Sequence, residues 1–123
     1  MKKLIALFAI LVAMTSFSFA ANSATATVKV WTPIQVTVTL DPAPATDILI
    51  GGTTTCTFTA SGTWDTDATG FNASWTVTTP STTGGTFTWE VDPANDLVVN
   101  ASLTGTAKGT SSITATYTVT YGF

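Results

Sequence analysis

The side chains able to carry chemistry in this chain are few, and carboxylates lead them. Asp65, Asp67, Glu90, Asp92 and Asp96 fall within one stretch of the sequence. A pair of them flanking a sugar bond would supply the acid and base of a glycosidase. Aspartate beside Pro, Asn and Gly is also what a tight turn selects, because its carboxylate bonds backbone amides close by in the chain. Nothing completes a catalytic set, since the sequence has no His and no Arg and its single thiol, Cys56, lies on an apolar alternation. Serine and threonine abound but have no base to activate them. The expectation is a non-enzymatic protein that uses no cofactor.

Two binding chemistries remain. Asp65-Thr-Asp67-Ala-Thr-Gly70 places two carboxylates two residues apart ahead of a glycine, a fragment of the oxygen-ligand pattern that holds calcium, without its later bidentate glutamate. Asp65 and Asp67 are thus candidate metal ligands, weighed against their simpler use in a turn. Trp64, next to that turn and outside any clean alternation, is the candidate for stacking on a glycan, weighed against a role capping the core.

Charge and hydropathy exclude other classes. Lys2 and Lys3 precede an apolar run over residues 4–14, and Ser18-Phe19-Ala20 supplies small residues for cleavage, which together read as an export signal over residues 1–20. Cleavage there leaves Lys29 and Lys108 against seven acidic residues, a net charge of −5. Nucleic acid is a poor partner for such a surface, because phosphate binding draws on clustered Lys and Arg. The apolar run is shorter than the ~20 residues of a membrane helix, so no stable span is expected after cleavage and the product is secreted or held at the cell surface. One cysteine permits no disulfide within the chain.

The elements that must position these groups follow from a period of two. Cys56, Phe58 and Ala60 alternate with Thr55, Thr57 and Thr59. Phe71, Ala73, Trp75 and Val77 alternate with Asn72, Ser74 and Thr76, and Phe87, Trp89 and Val91 with Thr88 and Glu90. Ile113, Ala115, Tyr117, Val119, Tyr121 and Phe123 share one face of a last strand whose other face is threonine. Successive strand residues point to opposite faces, and β-branched threonine suits a pleated, solvated one. The predicted core is Cys56, Phe58, Trp75, Phe87, Trp89, Ile113, Tyr117 and Val119. Turn signals at Asp41-Pro42, Gly51-Gly52, residues 65–70, residues 80–85, Asp92-Pro93 and residues 105–109 separate short strands. That rhythm predicts an all-β, antiparallel β-sandwich.

Ahead of it, Ala24, Ala26, Val28 and Val30 alternate with Thr25, Thr27 and Lys29, and Ile34, Val36, Val38 and Leu40 repeat the pattern after Pro33. Two strands in line are expected, with Pro33 marking an edge, a bulge or a crossing between sheets because it cannot donate to a ladder.

Several of these motifs together resemble a known family. Val36-Thr-Val-Thr-Leu40-Asp-Pro42, Gly51-Gly52-Thr-Thr-Thr-Cys56-Thr-Phe58, Trp75 within Ala73-Ser-Trp75-Thr-Val77, and Lys108-Gly109-Thr-Ser-Ser-Ile113-Thr-Ala115-Thr-Tyr117 are similar to the strands of bacterial immunoglobulin-like domains of cell-surface adhesins. The resemblance covers residues 36–119 and implies an immunoglobulin-like sandwich over residues 34–123, behind an extension at residues 21–33. The cysteine pair of antibody domains is absent, and such modules usually stand in tandem arrays. The extension is similar to the donor segments of pilins, with Ala24, Ala26, Val28 and Val30 as the plugs. The resemblance therefore implies a structural or adhesive fibre subunit joined by strand exchange, its partner another copy of itself or a different cell-surface protein. The alternatives are a monomeric glycan- or protein-binding module and a small outer-membrane-associated β protein.

Overall fold

The computed structural model describes residues 21–123, so the export segment read over residues 1–20 lies outside the described residues. Trp31–Phe123 is one compact unit, and residues 21–30 lie outside it. In residues 21–30 no strand forms and every residue is exposed. The first of the two in-line strands expected from sequence is therefore not formed. Alternation marks which faces a strand would present, but a strand exists only when a neighbour takes up its backbone N–H and C=O groups.

The compact unit is all-β, with six strands: β1 (Gln35–Leu40), β2 (Thr53–Thr63), β3 (Asn72–Thr82), β4 (Thr88–Val91), β5 (Val98–Thr104) and β6 (Ser111–Thr120). They form two antiparallel sheets, ordered β1-β2-β5-β4 and β3-β6. The strands run between two poles. The start of β1, residues 64–71, residues 92–97 and the end of β6 meet at one, here called the exit pole because residues 21–30 precede it in the chain. Residues 41–52, 83–87 and 105–110 meet at the far pole.

Register explains the core. Cys56 pairs with Ala101 and Phe58 with Val99, so two apolar alternations share one inner face, and Val99 and Cys56 are the most completely buried side chains. Trp75 pairs with Tyr117 and Val77 with Ala115 in the other sheet. Trp75, Val77, Ile113 and Ala115 pack against the cluster of Cys56, Phe58, Phe87, Val99, Ala101 and Leu103, which makes the sheets the two layers of a β-sandwich. Of the core read from sequence, Cys56, Phe58, Phe87 and Val119 are buried, while Trp75, Ile113 and Tyr117 are half-buried.

Trp89 departs from the expectation. It pairs with Ala101 and so points to the inner face, yet it is 45% exposed. The cause lies in sheet width: β4 is an edge of the four-stranded sheet, and the two-stranded sheet opposite does not cover it. Two further differences have local causes. Pro80 falls inside β3 rather than in a turn, and the register slips between Thr78 and Ser81, a bulge that lets a residue without an N–H sit in a strand. The last strand stops at Thr120, and Phe123 is left 78% exposed.

Burial governs the titration of Cys56 and Tyr117. Desolvation raises the thiol's pKa, and desolvation followed by the nearby Asp96 charge raises that of the Tyr117 phenol. For acids with raised folded-state values, the stability they contribute is whole below the ordinary pKa, about 8.5 for thiol and about 10 for phenol, and fades as pH climbs through the folded-state value. The denaturation midpoint is expected to decline above about pH 9. Maleimide should label Cys56 no faster than the protein unfolds, and rapid labelling of folded protein would place the thiol at the surface.

Candidate functional site

Of the carboxylates that opened the possibility of catalysis or metal binding, Asp65 and Asp92 are engaged with backbone amides. Asp65 Oδ2 accepts the Thr32 N–H at 2.6 Å, the Asp65 N–H donates to the Tyr121 hydroxyl at 2.8 Å, and that hydroxyl donates to the Thr32 carbonyl at 2.9 Å. The three residues form a clamp that fastens the segment before β1 to the end of β6. Asp92 Oδ1 accepts the Ala94 N–H at 2.8 Å, and Asn95 Oδ1 accepts the Leu97 N–H at 3.0 Å, as turn chemistry requires. Asp67 is exposed, and among the described residues no cluster of three metal-ligating side chains gathers around it or Asp65.

The aromatic candidates divide between the two layers. Trp64 is half-buried, its ring centroid 5.9 Å from that of Tyr117, which in turn lies 5.0 Å from Trp75. This row closes the core at the exit pole, and the ring proposed for stacking on a glycan is partly spent on it. A shallow depression of about 480 Å³ on the outer face of the wider sheet is lined by Thr55, Thr57, Glu90, Asn100 and Ser102. There the Thr57 hydroxyl donates to Asn100 Oδ1 at 3.2 Å.

The least satisfied feature is a seam between the two sheets. β6 is hydrogen-bonded only to β3, and β1 only to β2, so each leaves one edge without a ladder. These edges approach one another to within 8 Å between Cα atoms, against about 4.8 Å for paired strands, and no ladder joins them. Val36 and Val38 on β1, and Ile113, Ala115 and Tyr117 on β6, stay half-exposed. β6 is ten residues long with no charge and no proline, so it lacks the devices that keep an edge from pairing. The seam therefore presents two strand edges whose outward backbone groups have no ladder partner.

Residues 21–30 are exposed throughout. Val28 is 81% and Val30 88% exposed, and they share one face of the alternation with Ala24 and Ala26. The open edges themselves were not legible in the sequence, because edges arise from strand order, which no local pattern records. Reading the sequence also missed the Tyr121 clamp, whose partners lie 56 and 89 residues away, and the exposed pair Leu49 and Ile50 at the far pole. The run Ile48-Leu-Ile50 between turn residues was the available signal for that pair.

Comparison with family models, with curated proteins and with solved structures finds no match for this chain.

Proposed function

We propose that this chain is a non-enzymatic structural subunit of the cell exterior that assembles into fibres by β-strand exchange, residues 21–30 of one copy adding to the open edge of β6 in the next. The observation that carries this reading is the open, uncharged edge of β6 beside the unpaired edge of β1. Strand order supports an immunoglobulin-like topology. Sheets of A-B-E-D and C-F-G make the seven-stranded constant-type domain, and β1-β2-β5-β4 against β3-β6 matches that arrangement with the seventh strand missing. An incoming strand supplies it. Main-chain hydrogen bonds along β6 provide affinity, and alternate side chains provide register.

Insertion between both edges requires β1 and β6 to part to about twice the strand spacing, about 9–10 Å. That movement gives Ala24, Ala26, Val28 and Val30 access to the half-exposed side chains of the seam. Small plugs suit a narrow slot, and valines fill it where the flanking residues leave room.

Electron microscopy and sedimentation of protein beginning at Ala21, beside protein lacking residues 21–30, test the reading. Fibres or ladders of oligomers are expected from the first and monomers from the second, with both folded by circular dichroism. A protein that stays monomeric with its extension intact, or that still polymerises without it, would refute strand exchange.

A further inference from the structure

We infer that the turn at Leu49 and Ile50 is a lipid-docking tip, which enters the interfacial zone of a bilayer and seats the far pole of the sandwich on a membrane surface. It stands apart from strand exchange and uses none of the residues of the seam. The first ground is how the turn is built. The Gly52 N–H donates to the Leu49 carbonyl at 2.8 Å, and Gly51 has φ of 87°, the geometry of a type II turn with glycine at its third position. Turns favour Gly, Pro, Asn, Asp and Ser for their backbone freedom and local bonding, yet the first two positions here are aliphatic. Leu49 is 85% and Ile50 67% exposed, whereas the preceding Ile48 packs against the core cluster. Of three successive aliphatic residues, one anchors the loop and two are displayed.

The display is fixed by the backbone. The Gly51 N–H donates to the Gly105 carbonyl at 2.8 Å, and the Gly105 N–H donates to the Gly52 carbonyl at 2.9 Å, so the turn is laced to the loop after β5. Gly105 is buried, and a Cβ there would lie 3.1 Å from the Leu49 carbonyl. The turn therefore has no room to sink toward the body, and its two side chains are held out beside a cleft of about 520 Å³.

Shape and charge select lipid as the medium. Leu49 and Ile50 stand clear of the cleft as a convex pair, and the hydrophobic effect is non-directional, so a fluid acyl boundary covers such a tip without a matching cavity. The charges are placed to let this pole approach. Asp65, Asp67, Asp92 and Asp96 all lie in loops of the exit pole, and Asp41 is held beside the middle of β2, where its N–H donates to the Thr57 carbonyl at 2.9 Å. The far pole keeps Asp47 together with Lys108, the only basic residue of the compact unit, and both line the cleft beside the tip. These two charges balance. The exit pole is about 34 Å away along the ten residues of β6, several times the Debye length of about 8 Å at physiological ionic strength. Headgroup charge therefore neither drives nor opposes docking, and the aliphatic pair decides it.

Fluorescence of protein beginning at Ala21 tests the tip. In a Cys56→Ala background, Ala107→Cys carries a polarity-sensitive dye at the far pole and Asp67→Cys carries it at the exit pole, both at exposed positions. Each protein is mixed with zwitterionic phosphatidylcholine vesicles. The dye at position 107 is expected to shift its emission to the blue and to be quenched by lipids brominated in the acyl chain, equally at low and high salt, while the dye at position 67 does neither. Leu49→Ser combined with Ile50→Ser should weaken partition more than about tenfold with melting unchanged. No shift at position 107, an equal shift at position 67, or undiminished partition of the serine variant overturns lipid docking, and the quenching measurement does so on the unaltered tip. Vesicles left untouched while copies associate through a contact that the serine pair abolishes would overturn it too, and would assign the tip to a protein surface.

Discussion

Trp75→Ala is expected to lower the stability of the folded unit by about 3–5 kcal/mol, the usual cost of removing a large aromatic from a packed site. Trp75 packs on the buried cluster, lies against Tyr117, and donates its indole N–H to the Asp96 carbonyl at 2.8 Å. Alanine leaves a void between the sheets and strips a backbone carbonyl of its partner. Small domains hold only about 5–15 kcal/mol in total, and the lone cysteine gives this one no internal disulfide to fall back on. Urea denaturation followed by tryptophan fluorescence measures the effect. A midpoint within experimental error of the parent would remove Trp75 from any central role.

Gly62→Ala should be nearly as damaging for a different reason. Gly62 sits opposite Val36 in the β1–β2 ladder with φ of 147°, and a Cβ there would collide with the Gln35 carbonyl. Backbone strain of about 1–3 kcal/mol adds to an overpacking cost of about 1–3 kcal/mol, so a loss of about 2–6 kcal/mol is expected. Gly51 is the control, because its φ is 87° but nothing lies within 4 Å of the position a Cβ would take. Gly51→Ala should show only the strain. Equal losses at the two sites would mean that contact with β1 contributes nothing.

Much of the sandwich could be read from one chemical habit, the placing of threonine at every second position. The inward residues Cys56, Phe58 and Ala60 of β2 follow it closely and are buried, since that strand is flanked by a neighbour on each side. Trp89 broke the pattern because facing inward and being covered are separate properties, and the second depends on how many strands the opposite sheet has. Residues 21–30 broke it in the reverse sense, having the alternation without the neighbour. Asp65 was read as a possible ligand on the strength of its spacing from Asp67. Its actual partners, Thr32 and Tyr121, come from distant parts of the chain that only the closed fold brings together. The seam between β1 and β6 had no signature in the sequence, because a missing neighbour is a property of topology.

The clamp at Thr32 has a mechanical meaning. β1 is a six-residue edge strand, and tension applied at its leading end would peel it from β2 one hydrogen bond at a time. With Thr32 tied to Asp65 and Tyr121, a pull on the extension is shared by the turn after β2 and the end of β6 before it reaches β1. Rupture then requires several bonds in different parts of the body to fail together, and the weakest strand is shielded from being unzipped.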